Sequence, residues 1–409
     1  MTHHSDHPFA DLRQEAARCV ACGLCVPHCP TYRKTLSEAD SPRGRIFLMA
    51  GWLEGRLTIS QELTRHLDLC LGCRACEQAC PSKVAYGHLL DGVRNRMAQA
   101  QPCPRKLLFA VAKSPWLRNG GASLLRFYQR SGAQKWARRS GLLEPLGLVA
   151  IEAALPVLRD HAPSAGLHLP SDSPRATVSL FLGCVARIFD AQTLSAALFV
   201  LNRLGYAVDI PEAHGCCGAL HQHNGDLATA EVLRQANRNA FAGQSAAIIH
   251  AASGCAASLV EYMPPLNAPV MDISTFLTQA EGWDAVNIAP LEVAVFVHEA
   301  CASRNVSHDS ISAYTLLTRI PNLVVGALPG NDQCCGAAGS YALTQPGMAG
   351  RLLHDKIEAA KTAQAHIIVT ANPGCALHMA SGFRAAGLNV EVMHPVTLLA
   401  KQMGFQNAG

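Results

Sequence analysis

Two copies of one cysteine pattern constrain this chain more than anything else in it. Cys19-x2-Cys22-x2-Cys25-x3-Cys29-Pro30 returns 51 residues later as Cys70-x2-Cys73-x2-Cys76-x3-Cys80-Pro81. A longer pair follows, in which Cys184, Cys216-Cys217-Gly218 and Cys255 are echoed by Cys301, Cys334-Cys335-Gly336 and Cys375 at offsets of 117 to 120 residues. Internal repeats decide architecture before local propensity does. Of the 17 cysteines, only Cys103 stays outside them. An odd count, with no apolar leader run after Met1, argues against a disulfide scaffold and for thiols kept reduced in a cytosol and used for chemistry.

The short pattern has its own chemistry. Three cysteines at i, i+3 and i+6, then a fourth followed by proline, match the bacterial 4Fe-4S run, in which the fourth cysteine ligates the other cluster. That pairing assigns Cys19, Cys22, Cys25 and Cys80 to one 4Fe-4S cluster, and Cys70, Cys73, Cys76 and Cys29 to a second. Zinc is the competing reading, but structural zinc sites take cysteines in separated pairs rather than three in seven residues. The Cys-Cys-Gly repeats are less specific. Adjacent cysteines diverge too much to chelate one small tetrahedral ion, yet they can hold neighbouring irons of one cluster. Cys184, Cys216, Cys217, Cys255, Cys301, Cys334, Cys335 and Cys375 are therefore candidate ligands of further iron-sulfur clusters or a redox-active thiol site. The alternative is two tight turns lined with small buried thiols.

Around these motifs the hydrophobic pattern changes period. Pro42 to Leu53 and Gln61 to Leu69 read as helices where a compact ferredoxin would have a hairpin, which predicts an all-helical domain. Each long repeat instead reads strand, helix, strand, loop, helix, strand. The first has strands at 177–182, 207–210 and 246–250 and helices at 191–204 and 226–241; the second has strands at 293–297, 323–327 and 366–370 and helices at 311–320 and 348–363. Such alternation implies parallel sheets with right-handed crossovers. Ligands gather at the carboxyl ends of strands in these sheets, where every cysteine of the repeats falls. The expected fold class is thus α plus α/β. An N-terminal all-helical two-cluster ferredoxin domain takes 1–100, a basic helical linker 101–174, and two repeated α/β cysteine-rich domains with parallel sheets 175–288 and 289–409.

Composition agrees: of 409 residues, 49% are apolar and 16% charged, which excludes disordered and heavily charged classes. The most oily window, Leu142 to Leu158, is broken by Glu144, Pro145, Glu152 and Pro156, so no spanning helix is expected. Net charge is +4, but Gly92 to Leu143 has no acid and carries +11, leaving −7 to the rest. Phe109, Trp116, Phe127, Tyr128 and Trp136 interleave with those bases. That composition suits anionic headgroups or an acidic partner, with a solvated basic linker as the plain alternative. Nucleic acid is not expected as a partner, since no nucleic-acid motif accompanies the charge. No Gly-x-Gly-x-x-Gly fingerprint, phosphate loop or catalytic triad pattern occurs, so no flavin is expected on this chain.

The double motif followed by two cysteine-rich repeats resembles the iron-sulfur subunits of membrane-associated 2-hydroxyacid and glycerol-phosphate dehydrogenases, and the related heterodisulfide reductase subunits. CCGAAGSYALT from Cys334 and VTANPGCALHM from Val369 are most similar to the glycolate oxidase (glycolate dehydrogenase) iron-sulfur subunits. The resemblance implies an electron-transfer subunit, cytoplasmic and peripherally bound at the inner face of the membrane. It would take electrons from FAD-binding subunits that oxidise glycolate to glyoxylate and pass them toward quinone. Lactate or glycerol-3-phosphate dehydrogenase subunits, or a thiol/disulfide reductase, are the alternatives. One departure stands out. The wider family ends each repeat in Cys-x2-Cys, but here Ser258 and His378 hold the last position. Four cysteines per repeat put five-thiolate noncubane clusters in doubt, and make His378 a candidate imidazole ligand and Ser258 a bystander. His214 and His298, and more weakly His221 and His223, are candidates for tuning a cluster through hydrogen bonds to sulfur. His3, His4 and His7 read as a frayed terminus.

Overall fold

The computed structural model describes residues 12–100, 115–145, 148, 152, 155–158 and 161–406. Cys103, His3, His4 and His7 lie outside the described residues. All sixteen described cysteines are free thiols.

The N-terminal unit is helical throughout, with helices at Leu12–Ala17, Pro30–Thr35, Pro42–Leu53, Gln61–Asp68, Ala75–Gln78 and Tyr86–Ala100. Local chemistry sets the two central ones. The Ser41 hydroxyl accepts from the Gly44 N–H at the start of Pro42–Leu53, and the Ser60 hydroxyl accepts from the Leu63 N–H at the start of Gln61–Asp68. Pro42 fills a first-turn position whose N–H would be unsatisfied anyway. Their inward faces close one core of Ile46, Met49, Leu53, Leu63 and Leu67 against Leu89, Leu90 and Val93. Each cysteine loop turns by the same device. The residues flanking its middle cysteine, Ala21 and Gly23 around Cys22, and Gly72 and Arg74 around Cys73, all take positive φ. Two of the four carry a Cβ, a strain on the order of 1 kcal/mol each that the cysteine geometry must hold in place.

Helices at Pro115–Arg130 and Ala133–Arg139 follow, within the segment expected to be a basic helical linker. The first sheet is ordered β1-β3-β2-β4-β5 and the second β7-β6-β8-β9. Its strands are β1 (Gly166–His168), β2 (Thr177–Phe181), β3 (Ala207–Ile210), β4 (Ile248–His250) and β5 (Val270–Asp272). Those of the second are β6 (Ala294–Val297), β7 (Val324–Ala327), β8 (Ile367–Val369) and β9 (Glu391–Met393). Apart from β1 the two orders are the same, and every pairing within them is parallel. The exception is β1, which runs antiparallel to β3 and begins at residue 166, inside the segment expected to be linker.

The two repeats do not keep separate cores. Val178, Leu180, Leu201 and Ile249 of the first join Val295, Leu316, Val369 and Leu399 of the second in one buried cluster. Helix Ala191–Arg203 packs on Pro395–Gln402, and Ile273–Gln279 on Ile311–Leu317. The helical N-terminal unit rests on both repeats. Leu69 and Leu71 pack with Tyr341, Met348 and Leu352, Lys34 pairs with Asp355 at 2.7 Å, and Arg74 pairs with Glu261.

Candidate metal centres

In the helical unit the structure gathers the short-motif cysteines around two cavities. Cys19, Cys22, Cys25 and Cys80 line the first, of about 420 Å³ out to its open mouth, with Ile46, Val84 and Tyr86. Cys29, Cys70, Cys73 and Cys76 line the second, of about 320 Å³, with Arg45 and Tyr86; Cys76 borders both. Four or more cysteines and no carboxylate line each cavity, a donor set that suits soft iron-sulfur chemistry and not a hard cation. The residues present therefore fit iron-sulfur groups.

The cavities differ in depth. Cys22 is exposed, and Val20 and Leu24 beside it project into solvent. The second cavity faces inward and holds a buried cation. Arg45 reaches the Cys29 sulfur at 3.8 Å and the Thr31 hydroxyl at 3.0 Å through Nη1, and donates through Nε to the His66 carbonyl at 2.7 Å. Burial disfavours its charge, yet Cys70, Tyr86, Cys29 and Asp40 together hold its pKa above the usual arginine value. The Tyr86 hydroxyl donates to Cys70 Sγ at 3.6 Å and the Gly72 N–H at 3.4 Å. Desolvation, reinforced by the neighbouring Cys334, pushes the Cys73 thiol up. Thiolates in this cavity need the charge that Arg45 and a bound metal supply.

Each long repeat brings its four cysteines together at the carboxyl ends of its strands. In the first, Cys184 and Cys216 approach to 3.5 Å, and Cys217 bonds Cys255. In the second, Cys335 and Cys375 approach to 3.0 Å, and Cys301 bonds Cys334. One thiol in each set is pulled low by its neighbours. Cys184 and Cys217 bring Cys216 down to about 3, and Cys301 and Cys335 lower Cys334, each helped by the N–H of the following glycine.

Histidines and amines separate the two repeats. His298 lies with Cys335 and Cys375, their donor atoms within 4.8 Å of one another. Burial first, and Lys356 second, bring its pKa down to about 3, which leaves a neutral imidazole suited to metal. The matching position in the first repeat, three residues before Cys184, is Phe181. Lys356 is 1% exposed, donates from Nζ to the Gly330 carbonyl at 2.7 Å and feels Cys335, Cys334 and Cys375. Its counterpart is Asn237, since each lies seven residues after the alanine, Ala349 or Ala230, that packs on Gly336 or Gly218. Asn237 donates to the Cys216 carbonyl at 2.9 Å.

His378 lies against the Ala349 backbone, and burial lowers its pKa; it is not part of the His298 group. Ser258 donates its hydroxyl to the Cys217 carbonyl at 3.1 Å, as Tyr262 does at 2.8 Å. His214 is engaged elsewhere: its Nδ1 meets the Pro211 carbonyl and its Nε2 accepts from the Leu182 N–H at 3.2 Å. His221 bonds Asp226 and also helps lower the Cys216 pKa, and His223 bonds Asp91 of the helical unit. Arg45 and Lys356 escape motif reading. Only the inward stripe of Pro42, Arg45, Ile46, Met49 and Leu53 could have pointed to Arg45.

The helical unit and the repeats meet at Cys73. Asn305 donates to the Cys73 carbonyl at 2.8 Å, the Cys73 thiol helps raise the pKa of Cys301, and Cys334 helps raise that of Cys73. The second cavity therefore abuts the second repeat.

Three family models match the chain in order. They are a 4Fe-4S dicluster domain over residues 15–84, the linker region of glycolate oxidase iron-sulfur subunits over 100–155, and a cysteine-rich domain over 178–260 and again over 295–380. The probable glycolate oxidase iron-sulfur subunit of Bacillus subtilis is 35% identical, over 96% of this chain and 95% of its own. The glycolate oxidase iron-sulfur subunit of Escherichia coli is 31% identical, over 90% of each. One of the subunits of the fumarate reductase (CoM/CoB) of Methanothermobacter marburgensis is 29% identical, over 59% of this chain and 49% of its own. The order of domains, the linker between them and two relatives matched along nearly their whole length converge on one conclusion: the chain belongs to the family of glycolate oxidase iron-sulfur subunits.

Proposed function

We propose that this chain is the electron-transfer subunit of a glycolate dehydrogenase complex, taking electrons from FAD-binding partner subunits that oxidise glycolate to glyoxylate and delivering them toward quinone. Cys19, Cys22, Cys25 and Cys80 would hold one 4Fe-4S cluster, and Cys29, Cys70, Cys73 and Cys76 the other; bound there, such clusters supply reversible one-electron transfer. The junction at Cys73 carries the proposal: Asn305 of the second repeat holds the Cys73 carbonyl at 2.8 Å, and the Cys73 thiol lies within electrostatic reach of Cys301 and Cys334, which sets the two kinds of centre side by side. Arg45 and Lys356 supply buried positive charge at the two ends of that junction. The exposed loop with Val20, Cys22 and Leu24 is the natural face for a flavin partner. Burial argues against a disulfide reductase: Cys216 and Cys335 are each 1% exposed, too enclosed to attack a disulfide substrate.

Chain purified without oxygen should carry at least about eight irons and eight acid-labile sulfides. Four or fewer, or zinc in their place, would overturn the two-cluster assignment.

The complex would sit on a membrane through the basic helices. Among the described residues no helix is long and apolar enough to cross one. Leu124, Phe127 and Trp136 are exposed on helices that also carry Arg130, Lys135 and Arg139. Each such base near an anionic surface contributes about 1 kcal/mol within a Debye length. The chain should therefore co-sediment with phosphatidylserine vesicles, not with phosphatidylcholine ones, and come off at about 0.5 M salt. Equal binding to both vesicles would sink this docking mode.

A further inference from the structure

A second donor cluster, with no cysteine in it, lies where the two repeats meet. His250 ends β4 and Asp272 ends β5, and the two stand opposite one another in the parallel register. His250 Nδ1 and Asp272 Oδ2 are 3.8 Å apart. Asp309, from the second repeat just before helix Ile311–Leu317, completes a group whose donor atoms all lie within 4.8 Å. His250 is 1% exposed and Asp272 4%.

The group is under-satisfied. His250 Nδ1 and Asp272 Oδ2 have no hydrogen-bond partner, although Asp272 Oδ1 caps helix Ile273–Gln279 by accepting from the Ser274 N–H at 2.7 Å. Among the described residues, His250 is the only basic group within ion-pair distance of Asp272; Asp309 pairs with no lysine or arginine, though Ser307, Ser303 and the adjacent His308 favour its charge, so the unpartnered atoms are those of His250 and Asp272. Burial and the facing Asp309 push the Asp272 carboxyl up to about 7, and burial brings His250 down to about 4. Buried, unpaired groups of this kind ordinarily carry a heavy penalty. Two carboxylates and a neutral imidazole are together the complement of a doubly charged ion.

We propose that His250, Asp272 and Asp309 bind one divalent cation of the zinc class, which ties the first cysteine-rich repeat to the second. One imidazole and two carboxylates form a borderline donor set of the kind zinc accepts, and their charges cancel those of the ion. The 3.8 Å between His250 and Asp272 is about half an ångström longer than the spacing of two ligands on one zinc ion, and Asp309, within 4.8 Å of both, would close on the ion from its loop. The corresponding strand ends of the second repeat carry Thr370 and His394, with no carboxylate, so the site occurs once. There His394 Nδ1 accepts from the Val396 N–H, a helix cap rather than a ligand position.

Cobalt(II) added to the full chain with its iron-sulfur centres loaded tests this. One equivalent should bind with visible ligand-field bands and without the near-ultraviolet sulfur-to-metal charge-transfer band of a thiolate site. Zinc should displace it. Asp309→Asn, at a half-buried loop position, should weaken binding more than about tenfold and leave iron content unchanged; His250→Gln should do the same. Only a thiolate-type spectrum, no binding, or full retention of the metal in both variants would overturn the site.

Discussion

Cys73→Ala should remove about four irons per chain and lower dye-linked glycolate oxidation by the assembled complex more than about a hundredfold. Cys73 lines the inner cavity and meets the second repeat, with Asn305 donating to its carbonyl and its thiol within electrostatic reach of Cys301 and Cys334. Its loss would remove a donor and the junction together. Iron and sulfide assay, with EPR of the dithionite-reduced protein, reads the first effect, and turnover with the flavin subunits the second. Cys103→Ser, outside every repeat, is the control. Normal turnover with one cluster signal missing would show that electrons bypass this junction.

The second large effect is expected at Arg45. Its guanidinium is 1% exposed, lies 3.6 Å from Asp40 and donates to Thr31, Cys29 and the His66 carbonyl. Arg45→Met preserves much of the volume but leaves Asp40 with His66, 2.8 Å away, as its remaining partner. Breaking one side of a buried ion pair destabilises by about 3–5 kcal/mol. The same change should make the inner cluster harder to reduce, because a positive charge beside its thiolates is lost. Urea unfolding and an EPR-monitored redox titration measure the two effects. Asp40→Asn in the same chain should restore part of the stability but none of the potential. A double variant that recovered both would locate the role of Arg45 in folding alone.

What the sequence discloses about this molecule follows from how local each signal is. The ferredoxin motifs are readable because their first three thiols fall within seven residues, and the strands expected at 207–210 and 323–327 because each is a short apolar stretch closed by a proline within two residues of its end. By contrast β1, β5 and β9 are three residues each and partly exposed, with too few positions to show a period. The Cys-Cys-Gly repeats are visible as a pattern, but the difference between their surroundings is not. Phe181 against His298 and Asn237 against Lys356 gain meaning only when folding sets them beside the thiols. His250, Asp272 and Asp309 span 59 positions and two repeats, and only parallel register and a shared core bring them together.

That shared core bears on how such a chain could have arisen. A lone repeat would bare the apolar sides of the helices that meet across the seam, Ala191–Arg203 and Ile273–Gln279 in one half or Ile311–Leu317 and Pro395–Gln402 in the other, as an oily face that another copy would have to cover. Two separate but identical copies could meet this need only as twins, each with the same residues around its thiols. Once duplication had placed both on one chain, the halves kept their common seam and were free to become unlike. The imidazole and amine of the second half, and the phenyl ring and amide of the first, record that loss of symmetry.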